Sequence, residues 1–385
     1  VISPRARRVR VPSIVAKEQL LFRLLFFVSI QFRLVIIPAC HLAMGETCQS
    51  PVHSAEGAAL FRLLFLHLYF FIQLIDLTLC MASILLIFIC LIVGYLLKRY
   101  HLVKANSFEA LNTLIIYVAL PALTLQYIPN IEINTDLVFP ILMPWINIIL
   151  SWLLFGFLGR RLGWSKAITG ALIIMAGFGN TSFVGIPIIQ ALYGKAGIET
   201  VIMVDQPGSF VALTTLGIFI ANIYSDKQKP TTAGIFKNIL KFPPFIAFVL
   251  GVVTNVAQIA IPTDINTIFE ALGSLVVPLA LISVGMQLEL DFKSTYWKYI
   301  WMGLGFKLLL FPAIIFVLYF IFFQQSGQMI EITLIESAMA PMITAGIIAS
   351  SYDLKPRFCS LILSVGIFAS FITIPFWYWI VQFFG

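Results

Sequence analysis

Polar positions are sparse along most of this chain, and apolar positions run on rather than alternate. From Met81 onward, continuous apolar runs fall at about 81–97, 108–128, 137–158, 167–192, 200–223, 242–261, 267–288, 299–323, 330–351 and 358–383. A helix needs ~20 such residues to cross a hydrocarbon core ~30 Å thick, and each run is of that order. Spanning strands would show alternation instead. The pattern therefore predicts an all-α polytopic membrane protein with ten transmembrane helices.

The loops between the runs give the predicted bundle an orientation. Of the 16 Lys and Arg after Met81, 14 lie in alternate loops: Lys98, Arg99 and Lys104; Arg160, Arg161 and Lys166; Lys227, Lys229, Lys237 and Lys241; Lys293 and Lys298; Lys355 and Arg357. The intervening loops hold Lys195 and the acids Glu132, Asp136, Glu199, Asp264 and Glu331. Basic loops stay cytoplasmic, so both ends of the ten-helix body are expected outside. Composition agrees with a membrane protein: 60% hydrophobic, 11% charged and a mean hydropathy of +1.00, against about 25% charged in soluble domains. A disordered chain, a nucleic-acid module and a disulfide-stapled domain are excluded. The net charge of +7 is accounted for by the loops, without a nucleic-acid partner. The five cysteines lack any C-x-x-C spacing, so no metal or cofactor site is expected.

Residues 1–80 differ in composition from the rest. They hold 7 Arg and 1 Lys, where residues 81–385 hold 4 Arg and 12 Lys, and they lack Trp and Asn. Leu-Phe-Arg-Leu-Leu-Phe occurs twice, at Leu21–Phe26 and Leu60–Phe65. A single helix over residues 60–97 would run about 57 Å at the α-helical rise, too long for one crossing. The expectation is that 1–80 is a non-native upstream extension and that Met81 is the natural start. The competing readings are extra apolar segments near 20–37 and 60–79, or a signal peptide, which Arg23 and Arg33 disfavour.

The ten runs divide into two groups of five that resemble each other weakly. Val118-Ala-Leu-Pro-Ala-Leu-Thr-Leu125 in span 2 matches Leu275-Val-Val-Pro-Leu-Ala-Leu-Ile282 in span 7 at an offset of 157. Five spans per unit make the second unit enter from the opposite side, an inverted repeat as found in secondary transporters. The expected division is a first repeat at 81–223, a cytoplasmic linker at 224–241 and a second repeat at 242–385.

Two runs are interrupted at depth. Span 4 contains Gly177-Phe-Gly-Asn-Thr-Ser-Phe-Val-Gly-Ile-Pro187, and span 9 contains Ala338-Met-Ala-Pro-Met-Ile-Thr-Ala-Gly346. Within a helix Gly costs about 1 kcal/mol and Pro about 3 kcal/mol against Ala. Gly179, Gly185, Pro187, Pro341 and Gly346 are therefore expected to keep the two helices broken. The half-helix ends would present free N–H groups and positive partial charge to an anion. Asn180, Thr181 and Ser182 in the first break, with Met342 and Thr344 in the second, are the candidate substrate-binding residues.

The segment Gly179-Asn-Thr-Ser-Phe-Val-Gly-Ile-Pro-Ile-Ile189 resembles the signature of the auxin efflux carrier family, which includes bacterial malate permeases. Asn112–Leu123 in span 2, Lys307–Pro312 in span 8 and Glu336–Pro341 in span 9 are similar to the family as well. The resemblance covers about 81–385. It implies ten helices in two inverted five-helix repeats with crossed broken helices 4 and 9. It also implies a secondary active transporter (permease) of organic anions such as carboxylates, working by alternating access in the cell (inner) membrane. The linker at 224–241 is short, as in bacterial members.

Lys307, Glu336 and Asp205 stand out among the ionisable residues of the spans. Lys307 lies far from both ends of span 8, where a charge costs about 2.5–3.5 kcal/mol on insertion scales. Glu336 sits five residues before Pro341. Asp205 reads first as an interfacial carboxylate near the outer third of span 5. Lys307, Glu336 and Asp205 are the candidate coupling or charge partners, with the proton or sodium as coupling ion. Glu270 is expected at the outer interface, and Trp377 and Trp379 in an aromatic belt. No histidine follows His101 and neither H-E-x-x-H nor G-x-S-x-G occurs, so an enzyme is not expected. The alternative function is a ligand sensor or channel on the same fold. The expected partners are a small organic anion and the lipid bilayer, with a homodimer left open.

Overall fold

The computed structural model describes residues 85–104, 106–225, 242–288 and 293–384. The expectations for residues 1–80 and for most of the linker at 224–241 lie outside them. The chain divides into two units, Val1–Ala82 and Ser83–Gly385, and all described residues belong to the second.

Twelve helical stretches follow one another among the described residues. They are α1 (85–99), α2 (Ser107–Asn130), α3 (Thr135–Arg161), α4 (Lys166–Gly177), α5 (181–193), α6 (198–224), α7 (Pro243–Val256), α8 (Thr263–Gln287), α9 (Trp297–Phe322), α10 (Gln328–Ser337), α11 (Ile343–Ser351) and α12 (Pro356–Phe384). Six stretches are long and apolar enough to cross a membrane: α2, α3, the run Thr181–Tyr224 that holds α5 and α6, α8, α9 and α12. α4 and α7 are apolar but shorter.

The fourth and ninth runs are the ones that break, as their Gly and Pro content predicts. α4 ends at Gly177 and α10 at Ser337, each followed by non-helical backbone before the next arm. Thr181–Tyr224 has 44 residues, which would extend about 66 Å as one straight helix. It turns instead at Gly194, whose φ of +67° is left-handed, and a 3₁₀ turn over Gly194–Gly197 separates α5 from α6.

Proline shapes the other helices more gently. Wide π-type turns at Ile115–Ala119, Thr181–Gly185 and Phe306–Leu310 each precede a proline, at Pro121, Pro187 and Pro312. Proline has no N–H to offer the carbonyl four residues back, and π-turns absorb such mismatches. At Pro312 the freed acceptor is the Leu308 carbonyl. The Trp377 indole N–H donates to it at 2.8 Å. Trp377 is thus a buried structural donor, 5% exposed, and not part of an aromatic belt; Trp379 is exposed.

Packing sorts the helices into two neighbourhoods. α2 packs against α7 and α8. In the other, α3 packs on α4, α6 and α10, while α12 packs on α9, α10 and α11. α4 from Ile168 and α10 from Ile330 are buried on every side, so they form the centre. α8 joins the neighbourhoods by touching the first turns of α5. An exposed ion pair between Lys195 and Glu270 ties the α5–α6 turn to α8.

α1 is held to α8 by backbone contact. A Cβ built on Gly94 would lie 3.1 Å from the Gly285 Cα and closer still to the Ile282 carbonyl; one on Gly285 would lie 3.1 Å from the Leu91 Cα. Without a hydrophobic force between helices in lipid, small residues that let backbones approach supply the association. Replacing Gly285 by Leu should push the helices apart, an overpacking cost of about 1–3 kcal/mol. Thermal unfolding in detergent should show a lowered midpoint for Gly285→Leu and an unchanged one for Gly305→Leu, where a Cβ meets nothing within 4 Å.

Candidate functional site

The two breaks meet and pair. Gly179 and Pro341 form an isolated antiparallel bridge. The Asn180 N–H donates to the Ala340 carbonyl at 2.8 Å, and the Met342 N–H donates to the Phe178 carbonyl at 3.1 Å. Backbone freed by each break is thereby satisfied by the other, as the hydrocarbon region requires. Four helix ends converge here: the C-terminal ends of α4 and α10 and the N-terminal ends of α5 and α11.

Asn180 caps α5, its Oδ1 accepting the Phe183 N–H at 3.1 Å. Its Nδ2 is buried and has no protein partner. Thr181 and Ser182 open α5 and are buried, but their hydroxyls donate to Asp205 Oδ1, Thr181 at 2.6 Å. Asp205 Oδ2 accepts from Gln206 Nε2 at 2.7 Å. The expectation of an interfacial Asp205 is thus corrected: the carboxylate is 4% exposed and faces the first turn of α5. α6 packs beside α5, which brings residues 24 apart in sequence into contact.

On the other arm, Met342 precedes α11, whose first turn has no side-chain cap. Thr344 follows on that turn and is half-buried. A Cβ on Gly346 would be in ordinary contact with Met175 of α4, at 3.5 Å. Pro187 occupies the start of the regular part of α5, where its missing N–H is tolerated.

Lys307 and Glu336 both reach this region, and both are fully buried. The Lys307 ammonium donates to the Ser337 carbonyl at 2.7 Å and lies 5.4 Å from the centre of the Phe311 ring. Ser337 is the last residue of α10. The cation therefore caps the negative end of a half-helix. It also borders the bridge, since a Cβ on Gly179 would lie 3.0 Å from its Nζ. Glu336 makes no ion pair with it: both carboxylate oxygens are buried without a hydrogen-bond donor. The carboxylate packs instead on Gly185, where a Cβ would come within 2.5 Å of Oε1. Any side chain there would displace the acid, so glycine is required by contact.

Among the described residues, the bridge is surrounded by one buried cation, one carboxylate with three donors, one carboxylate with none, and an unused amide N–H. Gln206 Oε1 and Asn147 Oδ1 are further buried polar atoms without partners. No group of three His, Cys, Asp or Glu that could hold a metal occurs among the described residues. Such an arrangement can bind ions and exchange protons at the centre of the molecule. Sequence reasoning located Asn180, Lys307 and Glu336. It missed the α10 carbonyl as the partner of Lys307 and the Trp377 bond to α9, because a backbone acceptor leaves no residue-type signal.

Residues 79–378 match the model of a family described as membrane transport protein. An uncharacterized transporter of Methanothermobacter thermautotrophicus is 28% identical over 302 residues, covering 77% of this chain and 96% of the relative. A second, from Methanocaldococcus jannaschii, is 26% identical over 313 residues, covering 78% and 98%. The uncharacterized transporter YfdV of Escherichia coli is 21% identical over 313 residues, covering 79% and 98%. With a match over most of the chain, and with buried helices broken where the family signature falls, the chain belongs to the membrane transport protein family, that of the auxin efflux carriers.

Proposed function

We propose that this transporter is a secondary active carrier of small organic anions, with the paired breaks as its substrate site. The architecture proposed is ten crossings in two inverted five-helix repeats. α1, α2, α3, α4 with α5, and α6 make the first; α7, α8, α9, α10 with α11, and α12 make the second. In each set the fourth member is a two-armed helix. The antiparallel bridge between Gly179 and Pro341 is the observation that carries this reading, because two equivalent breaks meeting head to head is what an inverted repeat produces.

An anion at the bridge would find the unpartnered Asn180 amide, the uncapped first turn of α11 and the Lys307 ammonium. It would also meet Asp205 and Glu336. Asp205 is matched by donors from Thr181, Ser182 and Gln206. Glu336 is matched by none, and burying an uncompensated charge costs several kcal/mol. A neutral Glu336 resolves both difficulties. Proton binding at Glu336 would remove one negative charge from the region and leave Lys307 balanced against Asp205, so that an anion could enter with the proton and the two would travel together. Alternating access would move the neighbourhood of the breaks against the one built on α2, α7 and α8.

Proteoliposome counterflow with a panel of small carboxylates tests the substrate class. Saturable exchange identifies a carrier, whereas unsaturated flux would favour a channel, and binding without flux a sensor. Asn180→Ala removes the cap of α5, which costs about 0.5–2 kcal/mol, so it should lower the unfolding midpoint modestly, and it should weaken substrate binding about 10- to 100-fold, the worth of one hydrogen bond to a charged group. Unchanged affinity would remove Asn180 from the site.

The coupling role of Glu336 is tested separately. Glu336→Gln imitates the protonated acid, so counterflow should persist while accumulation driven by a pH gradient is lost. A variant that still accumulates substrate under that gradient would exclude Glu336 as the proton carrier. Wild-type accumulation that follows a sodium gradient instead would make sodium the coupling ion.

A further inference from the structure

A groove of about 650 Å³ lies between α1 and α12, and none of the bridge residues lines it. One face of α1 lines it with Phe88, Ile92, Tyr95 and Arg99, spaced so that they stack along the helix. Phe368 and Phe371 of α12 form the opposite wall. Phe88 and Phe371 meet across it at the end remote from Arg99, with ring centroids 5.3 Å apart. The walls are set by the backbone contact of Gly94 with Gly285, which turns the face bearing Ile92 and Tyr95 outward.

The order of chemistry along the groove is that of a lipid. Apolar and aromatic residues fill the deep part, Tyr95 follows one turn later, and Arg99, at the end of α1, is the one charged residue lining it among the described residues. From Phe88 to Arg99 is eleven residues, about 16 Å of helix. Half of a ~30 Å hydrocarbon core is one leaflet. The groove thus has the depth of a single leaflet, with its cation at headgroup level. Arginine binds phosphate through two parallel N–H bonds, and keeps its charge there.

We propose that this groove holds one anionic phospholipid, its phosphate on Arg99 and an acyl chain lying along Ile92 toward Phe88 and Phe371. Buried methylenes supply the affinity, and the guanidinium supplies the preference for a net negative headgroup, since a zwitterionic lipid brings its own cation. Basic pockets between helices on the side of the basic loops recognise headgroups in this way. The site is separate from the anion site proposed above and does not depend on it.

Native mass spectrometry of the full chain in detergent, with phosphatidylglycerol or phosphatidylcholine of identical acyl chains, tests the assignment. Wild type should retain phosphatidylglycerol about tenfold more strongly, as one charge-assisted contact allows. Arg99→Gln should make the two lipids equal, and Ile92→Trp should lower retention of both by filling the groove. Both residues are exposed, and an unchanged unfolding midpoint verifies that each variant is folded. Equal retention of the two lipids by wild type, or a preference that survives Arg99→Gln, would overturn the proposal. So would an Ile92→Trp variant that changes the monomer–dimer ratio while keeping its lipid, for the groove would then belong to a second copy of the chain.

Discussion

A polypeptide in hydrocarbon cannot leave its backbone polar groups to water, and that constraint organises the centre of this protein. Two helices are broken by Gly and Pro at depth, which frees N–H and C=O groups. They are satisfied by crossing: Asn180 bonds to Ala340, and Met342 to Phe178. The crossing brings four helix ends to one place, and the side chains that handle charge are arranged around those ends. Lys307 caps α10, Asn180 caps α5, and Asp205 gathers the hydroxyls of the first turn of α5.

The three charged side chains buried around the bridge among the described residues, Lys307, Asp205 and Glu336, are treated differently. Lys307 is compensated by a helix terminus and an aromatic face. Asp205 is compensated by three side-chain donors. Glu336 has neither, although it lies one residue from the carbonyl that Lys307 uses. Because removing a carboxylate from water costs several kcal/mol without such partners, the ionised form of Glu336 is the least supported state in the region. The other two groups find their partners within the structure as it stands; Glu336 needs something brought to it.

Much of this was legible in the sequence for a definable reason. Gly179, Asn180, Gly185, Pro187 and Pro341 stand out because helix-breaking and polar residues are costly in an apolar run, and Lys307 because a charge there is costly too. The number of full-length helices was less legible. Ten apolar runs correspond to six long helices and several shorter ones among the described residues, since hydropathy does not register where backbone bonds stop. Asp205 was misplaced because its setting depends on α6 lying against α5, a contact across 24 residues that no local pattern encodes. Trp377 was misplaced for a similar reason: the acceptor that holds it is a carbonyl freed by Pro312 in another helix.

The bridge between Gly179 and Pro341 also has a mechanical meaning. Two crossed chains that merely touched could slide or rotate past each other. These two share hydrogen bonds in both directions, so neither arm can unwind or shift without breaking bonds in the other. The crossing behaves as a rivet and not as a hinge. In a carrier built on this plan, α4, α5, α10 and α11 would be displaced together as one stiff piece. Bending would then be taken up elsewhere, in the turns that connect that piece to α3, α6, α9 and α12.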